Sequence, residues 1–155
     1  MSKKKKIVFD MDDTLITNNT WLDFNLFMGM TEDEDYALYK RFSANEITYL
    51  QWTEELLVHY RRRNPKTRLE IEKKLHTFSL ALGAVEAVSG ANKLGLMTIL
   101  LSGSFTTTAQ AVAKELGIKI VFANTQCLYD ANECFANLRS GGDEATAKES
   151  ALLEI

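Results

Sequence analysis

Short apolar runs alternate with longer segments of helical periodicity along the 155 residues of this chain. Apolar runs of four to eight residues bounded by polar residues are typical of strands in a parallel sheet. Three such runs predict strands: Lys6 to Phe9, Leu96 to Leu101 and Lys119 to Phe122. Between the first two runs, apolar residues recur at helical spacing. This spacing predicts helices at Trp21 to Met28, Asp33 to Phe42, Thr48 to Arg62 and Arg68 to Phe78.

From Gly83 onward, helical and strand segments follow each other in turn, and Gly117 stands where a helix over Thr107 to Leu116 would end. Such alternation predicts right-handed crossovers and a parallel sheet. We therefore predict an α/β fold in which residues 1–16 and 81–155 form the core. Residues 17–80 form a helical cap inserted after the first strand, placed to cover a site at the edge of the sheet.

Composition narrows the function classes without naming one. The chain carries a formal net charge of −3 and no basic face, which argues against a nucleic-acid partner. No apolar stretch approaches the length of a membrane span, and no leader precedes the first strand, so we predict a cytoplasmic protein without a membrane partner.

Cys127 and Cys134 flank a predicted turn at residues 130–132 and could face each other across a hairpin. Their spacing is not that of a metal site, and we interpret them as half-buried apolar positions.

Candidate chemistry begins directly after the first strand, where Asp10 and Asp12 are followed by Thr14. The carboxyl ends of parallel strands are where open α/β sheets bind ligands. Two acids at such an end suit covalent phosphoryl transfer, one as the nucleophile and the other as the proton carrier. The alternative is a strand that ends in an ordinary Asp-rich turn.

Two further segments offer groups that bind anions. Ser102 and Gly103 lie where the second apolar strand gives way to a helix, and a hydroxyl with free amides at a helix N-terminus attracts anions. An ordinary serine N-cap is the alternative there. Lys148 lies near the start of a helix within residues 145–155, where its charge opposes the helix dipole, so an anionic group should compensate it. As a lone lysine it would instead be a solvated surface residue.

Together, these three segments resemble the first three motifs of the haloacid dehalogenase-like (HAD) superfamily. The long insert after the first motif, and the stretch from Ala109 to Asn124, resemble its phosphoserine phosphatase-like branch. The resemblance implies a Rossmann-like core with a helical cap and a phosphatase that hydrolyses a small phosphomonoester through an aspartyl-phosphate, with Mg²⁺ as cofactor. It also implies the roles of the motif residues. Asp10 would be the nucleophile and Asp12 the acid and base, and both would hold the metal, Asp12 through its backbone carbonyl. The phosphate would be bound by Thr14, Ser102, Gly103 and Lys148.

The chain departs from the family pattern at its C-terminal end. A further strand with a fourth acidic motif is expected after Lys148, but the sequence stops at Ile155. We therefore expect the C-terminal strands to be missing and the Mg²⁺ site to bind weakly. The segment Gly142 to Glu144 is only a superficial substitute, because it precedes Lys148 and follows a poor candidate for a buried strand. A catalytically impaired phosphate-binding or regulatory protein, and a truncated fragment of a longer phosphatase, remain as alternatives.

The same departure affects partners and substrate. Without the missing neighbour, the first strand should present an unpaired edge that invites a homodimer. Phosphoserine phosphatases of the family place an acid for the substrate amine soon after the first motif, where this chain has Asn18 and Asn19, and no cap arginine can be placed between Ser43 and Leu57. Phosphoserine is therefore not favoured over another small phosphorylated metabolite. A dehalogenase has no use for a second acid at Asp12, whereas a phosphomutase is harder to exclude.

Overall fold

In the part of the chain that the structure describes, four strands form one sheet, and their order across the sheet is their order along the sequence. A computed structural model describes residues 5–155. The strands in that range are β1 (Lys6–Phe9), β2 (Met97–Phe105), β3 (Ile120–Tyr129) and β4 (Phe135–Ser140). The helices in the same range are α1 (Thr20–Phe27), α2 (Glu32–Ser43), α3 (Tyr49–Arg61), α4 (Arg68–Leu75), α5 (Ala84–Lys93), α6 (Thr106–Leu116) and α7 (Glu144–Glu154).

The predicted α/β fold is confirmed, with one addition to the sheet. β1, β2 and β3 run parallel, whereas β4 pairs antiparallel with β3. The two antiparallel strands are joined at the predicted turn, where the Asp130 side chain accepts hydrogen bonds from the backbone amides of Asn132 and Cys134. β4 lies at the edge of the sheet, and Leu138 is its only buried residue. This position explains why its sequence does not resemble that of a buried strand.

The first strand presents the unpaired edge that the sequence predicts, and it is less buried than a strand in the interior of a parallel sheet would be. Among the described residues β1 pairs only with β2, so it is an edge strand, and its side chains alternate between exposed and half-buried. Val8 at its centre is 39% exposed. The apolar run of β1 thus reflects strand propensity at an edge rather than burial on both faces.

The two cysteines are half-buried and free, as predicted, but they do not face each other. Cys127 lies opposite Leu138 in the hairpin, and Cys134 precedes β4 at the end of the turn. The two cysteines are out of register because the turn closes at Cys134, whose carbonyl accepts from the Asp130 amide and whose amide donates to Asp130 Oδ1. Burial raises the pKa of the Cys127 thiol to about 12, which makes it unreactive.

Four helices, α1 to α4, occupy the segment predicted as the cap. α2, α3 and α4 each begin at a threonine capping box, formed by Thr31, Thr48 and Thr67. Helix starts agree with the predictions within one residue, while α4 ends at Leu75 instead of Phe78. The division into core and cap itself stays a prediction.

Two apolar clusters hold these elements together. One contains buried residues of α1 to α4 and also Phe105 and Leu138 from the sheet. The other packs α5 and α6 against the sheet and the turn after β1. Since Phe105 ends β2, the first cluster fixes the helical segment beside the carboxyl ends of the parallel strands.

Within residues 5–155, no helix combines the length and the apolar character that a membrane span needs. The cytoplasmic location stays a prediction.

Candidate active site

Asp10 follows the last residue of β1 and has its carboxylate fixed by two donors. The backbone amide of Met11 and the Nζ of Lys148 each lie 2.9 Å from its Oδ1. The chain then turns tightly, because the amides of Thr14, Leu15 and Ile16 all donate to the Met11 carbonyl. The turn therefore holds the Asp10 carboxylate in one orientation at the carboxyl end of the sheet.

The carboxyl group of Asp12 is more buried than that of Asp10. Its Oδ1 accepts hydrogen bonds from the backbone amide of Thr20, at 3.2 Å, and from the Thr20 hydroxyl. Burial is the main cause that raises the pKa of Asp12, against the hydrogen bonds from Thr20, and the nearby Asp10 charge adds to the rise. An acid with a raised pKa holds its proton nearer to neutral pH, as a general acid must.

The end of β2 supplies two buried hydroxyls. Ser102 is 3% exposed and its Oγ accepts a hydrogen bond from the Ser104 amide at 3.0 Å. The Ser104 hydroxyl lies close enough to Asp12 to influence its pKa, yet it has no hydrogen-bond partner of ordinary geometry among the described residues. Neither serine caps α6, whose N-cap is Phe105. The alternative of an ordinary serine N-cap is therefore wrong.

Lys148 is held between two carboxylates. Its Nζ lies 2.9 Å from Asp10 Oδ1 and 2.6 Å from Glu144 Oε1, and its side chain is 26% exposed. Partial burial opposes protonation, but the hydrogen bonds to Glu144 and Asp10 prevail and raise the pKa of Lys148. The expected anionic compensation is confirmed, and the alternative of a solvated lysine is wrong. Helix α7 thus places a positively charged ammonium group beside the Asp10 carboxylate.

Glu144, one turn before Lys148, packs over Gly103. A Cβ atom on Gly103 would clash with the Glu144 side chain, so only glycine permits this close approach. Sequence reasoning treated Glu144 as a superficial metal-site candidate. The structure instead places its carboxylate on the lysine predicted to bind phosphate.

One cavity of about 1080 Å³ joins most of the predicted site. Asp10, Asp12, Ser102, Gly103 and Lys148 all line it. Thr14 does not: it is exposed in the turn after β1, and the structure gives no support to its predicted contact with phosphate.

Sequence reasoning missed several polar residues of the same cavity, including Asn25, Asp35 and Ser104. Asn25 is buried at 1% exposure inside an apolar helix, which is an unusual position for an amide side chain. A buried Asn among the aromatic residues of α1 was the one available signal in the sequence. Asp35 carried none, because acids in the first turn of a helix are commonplace.

Metal ligands are few in this site. Among residues 5–155, no group of three His, Cys, Asp or Glu side chains is arranged to hold a metal ion. The turn after β1 nevertheless offers the Asp10 carboxylate and the Asp12 backbone carbonyl, which are oxygen donors of the hard type that Mg²⁺ prefers. Mg²⁺ usually keeps several waters in addition. The donor set therefore fits a largely hydrated Mg²⁺ ion bound by one carboxylate and one carbonyl.

A model of the haloacid dehalogenase-like hydrolase family matches residues 4–151. The chain belongs to this family. A phosphoserine phosphatase from Methanocaldococcus jannaschii is 26% identical over 131 residues, which cover 84% of this chain and 60% of that relative. This member of the HAD-like family thus spans about three fifths of the length of the curated relative it matches.

Solved structures agree on the fold. A phosphoserine phosphatase holding an analogue of its phospho-aspartyl intermediate superposes with a TM-score of 0.77 and 21% identity, covering 99% of this chain and 71% of its own. A HAD family hydrolase from Salmonella enterica serovar Typhi gives a TM-score of 0.78 and 15% identity, covering 97% of this chain and 51% of its own. At these identities the likeness confirms the predicted HAD-like α/β fold.

Proposed function

We propose that this HAD-like protein is a phosphatase that hydrolyses a small phosphomonoester through an aspartyl-phosphate. One observation carries the proposal: the Lys148 ammonium lies 2.9 Å from the Asp10 carboxylate, in a cavity that Asp12 and Ser102 also line. The residues that we propose as nucleophile, proton carrier and phosphate ligands therefore all line one cavity. The likeness to phosphoserine phosphatases supports the same reaction class.

In the first step, Asp10 attacks the phosphorus atom and the bond to the leaving alcohol breaks. A carboxylate and a phosphate dianion repel each other, and the positive charge of Lys148 beside Asp10 offsets this repulsion. Because Met11 and Lys148 both bind Oδ1, the carboxylate is oriented before the substrate arrives. Preorganisation of this kind lowers the barrier without cost at the moment of reaction.

Asp12 transfers the proton in both steps. The protonated carboxyl group donates to the leaving oxygen, and the resulting carboxylate then takes a proton from the water that hydrolyses the acyl-phosphate. Burial raises the pKa of Asp12, which favours the protonated form needed first. Its hydrogen bonds from Thr20 hold the carboxyl group in place.

Phosphate oxygens would be bound by the Ser102 hydroxyl, the backbone around Gly103 and Lys148. Among the described residues the Ser104 hydroxyl has no hydrogen-bond partner of ordinary geometry, which supports a polar ligand at this place, because buried hydroxyls in native proteins normally have partners. Glu144 must leave Lys148 when phosphate binds, since both compete for the same ammonium.

We further propose Mg²⁺ as the cofactor, held by the Asp10 carboxylate and the Asp12 backbone carbonyl. When bound, Mg²⁺ supplies positive charge that reduces the repulsion between Asp10 and the phosphate. With a single side-chain carboxylate in this set, we expect weak binding, which is measurable as a high Mg²⁺ concentration for half-maximal activity.

The test is hydrolysis of p-nitrophenyl phosphate with Mg²⁺ by the wild type, Asp10→Asn and Asp33→Asn. Asp33 is exposed on α2 and does not line the cavity, so its variant is a charge-matched control. We expect the Asp10 variant to be inactive, and the wild type and control to hydrolyse the ester at the same rate. Equal activity in all three would show that the turnover does not arise from this site. No turnover in any of them, with phosphate binding intact, would favour the alternative of a phosphate-binding or regulatory protein.

We also propose a homodimer formed through β1. Its outer edge has no partner strand among the described residues, and a strand from a second copy could pair there. Light scattering should give twice the monomer mass, and Val8→Pro should return the protein to a monomer because proline removes a donor from the edge. A monomeric wild type with full turnover would exclude this dimer.

A further inference from the structure

The part of the cavity beyond the phosphate groups is lined largely by aromatic rings of the cap. Trp52 is the centre of this wall: its ring centroid lies 4.9 Å from that of Trp21, 5.5 Å from that of Tyr49 and 5.6 Å from that of Phe42. All four residues line the cavity. Aromatic faces carry partial negative charge and attract cations, quaternary ammonium groups above all.

A carboxylate, that of Asp35, lines the same cavity and is held there by a buried relay of hydrogen bonds. The Tyr60 hydroxyl donates a hydrogen bond to Asn25 Oδ1, and Asn25 Nδ2 donates to Asp35 Oδ1 at 2.6 Å. Tyr60 is 3% and Asn25 1% exposed, within a cluster that is otherwise apolar. Buried polar chains of this kind are costly unless every group is paired. This relay binds only one oxygen of Asp35, and among the described residues Oδ2 makes no hydrogen bond.

The charge of the cavity is strongly negative. Its acidic lining residues are Asp10, Asp12, Asp13, Asp35, Asp143 and Glu144. Lys148 is the one cation among the described residues that line it, and it already binds two of these acids. The phosphate of a substrate can be bound by Lys148, but a second negative group would find no cationic partner and several carboxylates.

From the aromatic wall, the oriented Asp35 and this charge balance, we infer that the preferred substrate is the phosphate ester of an alcohol that carries a substituted ammonium group and no carboxylate. The ammonium binds between the aromatic wall and Asp35 while the phosphate lies at Asp10 and Lys148. This inference rests on the proposed phosphatase function for the position of the phosphate. It differs from that function in naming the charge of the leaving group.

Binding can be measured without turnover, because Trp21 and Trp52 are the two tryptophans of the chain and both line the cavity. Tryptophan fluorescence of the Asp10→Asn variant is titrated with phosphocholine, glycerol 3-phosphate and phosphoserine, whose leaving groups are cationic, neutral and zwitterionic with a carboxylate. We expect phosphocholine to bind at least tenfold more tightly than phosphoserine, with glycerol 3-phosphate between them. Equal affinities, or a preference for phosphoserine, would overturn the inference.

Asp35→Asn tests the position of the ammonium. The amide keeps the hydrogen bond from Asn25 but removes the charge, so the ratio of the phosphocholine and glycerol 3-phosphate affinities should fall about fivefold. Asp33 lies on the same helix but outside the cavity, so the Asp33→Asn variant should leave this ratio unchanged. An unchanged ratio in the Asp35 variant would place the ammonium elsewhere and refute the assignment. Because these titrations need no catalysis, they stand apart from the assay of the proposed function: an inactive wild type that binds phosphocholine selectively would refute turnover alone.

Discussion

Glu144 competes with phosphate for Lys148, and removing its charge should strengthen phosphate binding. The Glu144 side chain is 60% exposed and that of Lys148 is 26% exposed, so their 2.6 Å ion pair is that of a surface pair. Such pairs contribute about 0.2–1 kcal/mol. A phosphate ion must break this pair before Lys148 can bind it fully. Glu144→Gln therefore should lower the dissociation constant for phosphate by a factor of about 1.4 to 5 at low salt.

The measurement is a calorimetric titration with inorganic phosphate at two ionic strengths. Glu149→Gln is the matched control: it makes the same charge change on α7, at an exposed residue outside the cavity. The gain in the Glu144 variant should shrink at high salt, because exposed pairs are screened, and the control should behave like the wild type. Weaker phosphate binding in Glu144→Gln would show that Glu144 supports the site, and the competition argument would then be wrong.

Three further experiments test other parts of the structure. Asp12→Asn should abolish turnover yet raise the melting temperature at pH 7. Because the pKa of Asp12 is raised in the folded protein, ionisation of its carboxyl group costs stability as pH rises, and the amide removes this cost. The gain in melting temperature should therefore disappear as pH falls towards 3.8, the ordinary pKa of an aspartate. An unchanged or lower melting temperature at pH 7 would contradict this. Tyr60→Phe leaves the buried Asn25 Oδ1 without its donor and should cost about 1–3 kcal/mol in urea unfolding. The 66% exposed Tyr36→Phe should change stability by less than about 0.5 kcal/mol, and equal effects of the two would refute the relay. Cys127, with its pKa raised to about 12 by burial, should resist thiol reagents at pH 8 in the folded protein and react in urea, as peptide mass spectrometry would show. Rapid labelling without urea would disprove its burial.

Local signals in the sequence were sufficient for most elements of the fold. Apolar runs identified the three parallel strands, and Gly117, with a φ of 75°, ends α6 where the sequence indicated. The motif order also brought Asp10, Ser102 and Lys148 to one expected place, because the carboxyl ends of parallel strands share one edge of a sheet. Strand β4 escaped prediction because its own sequence, Phe135 to Ser140, lacks a continuous apolar run.

The sequence by itself determined the α/β pattern, the candidate nucleophile and the cation that accompanies it, since these follow from periodicity and from motifs a few residues long. Only the tertiary structure decided that Thr14 does not line the cavity, that Glu144 packs over Gly103, and that Asp35 is oriented through Asn25. These facts depend on side chains that are distant along the chain, and their contacts are set by how the cap and α7 pack against the sheet. Local propensity has no information about such contacts, whereas burial and charge in the folded chain decide them.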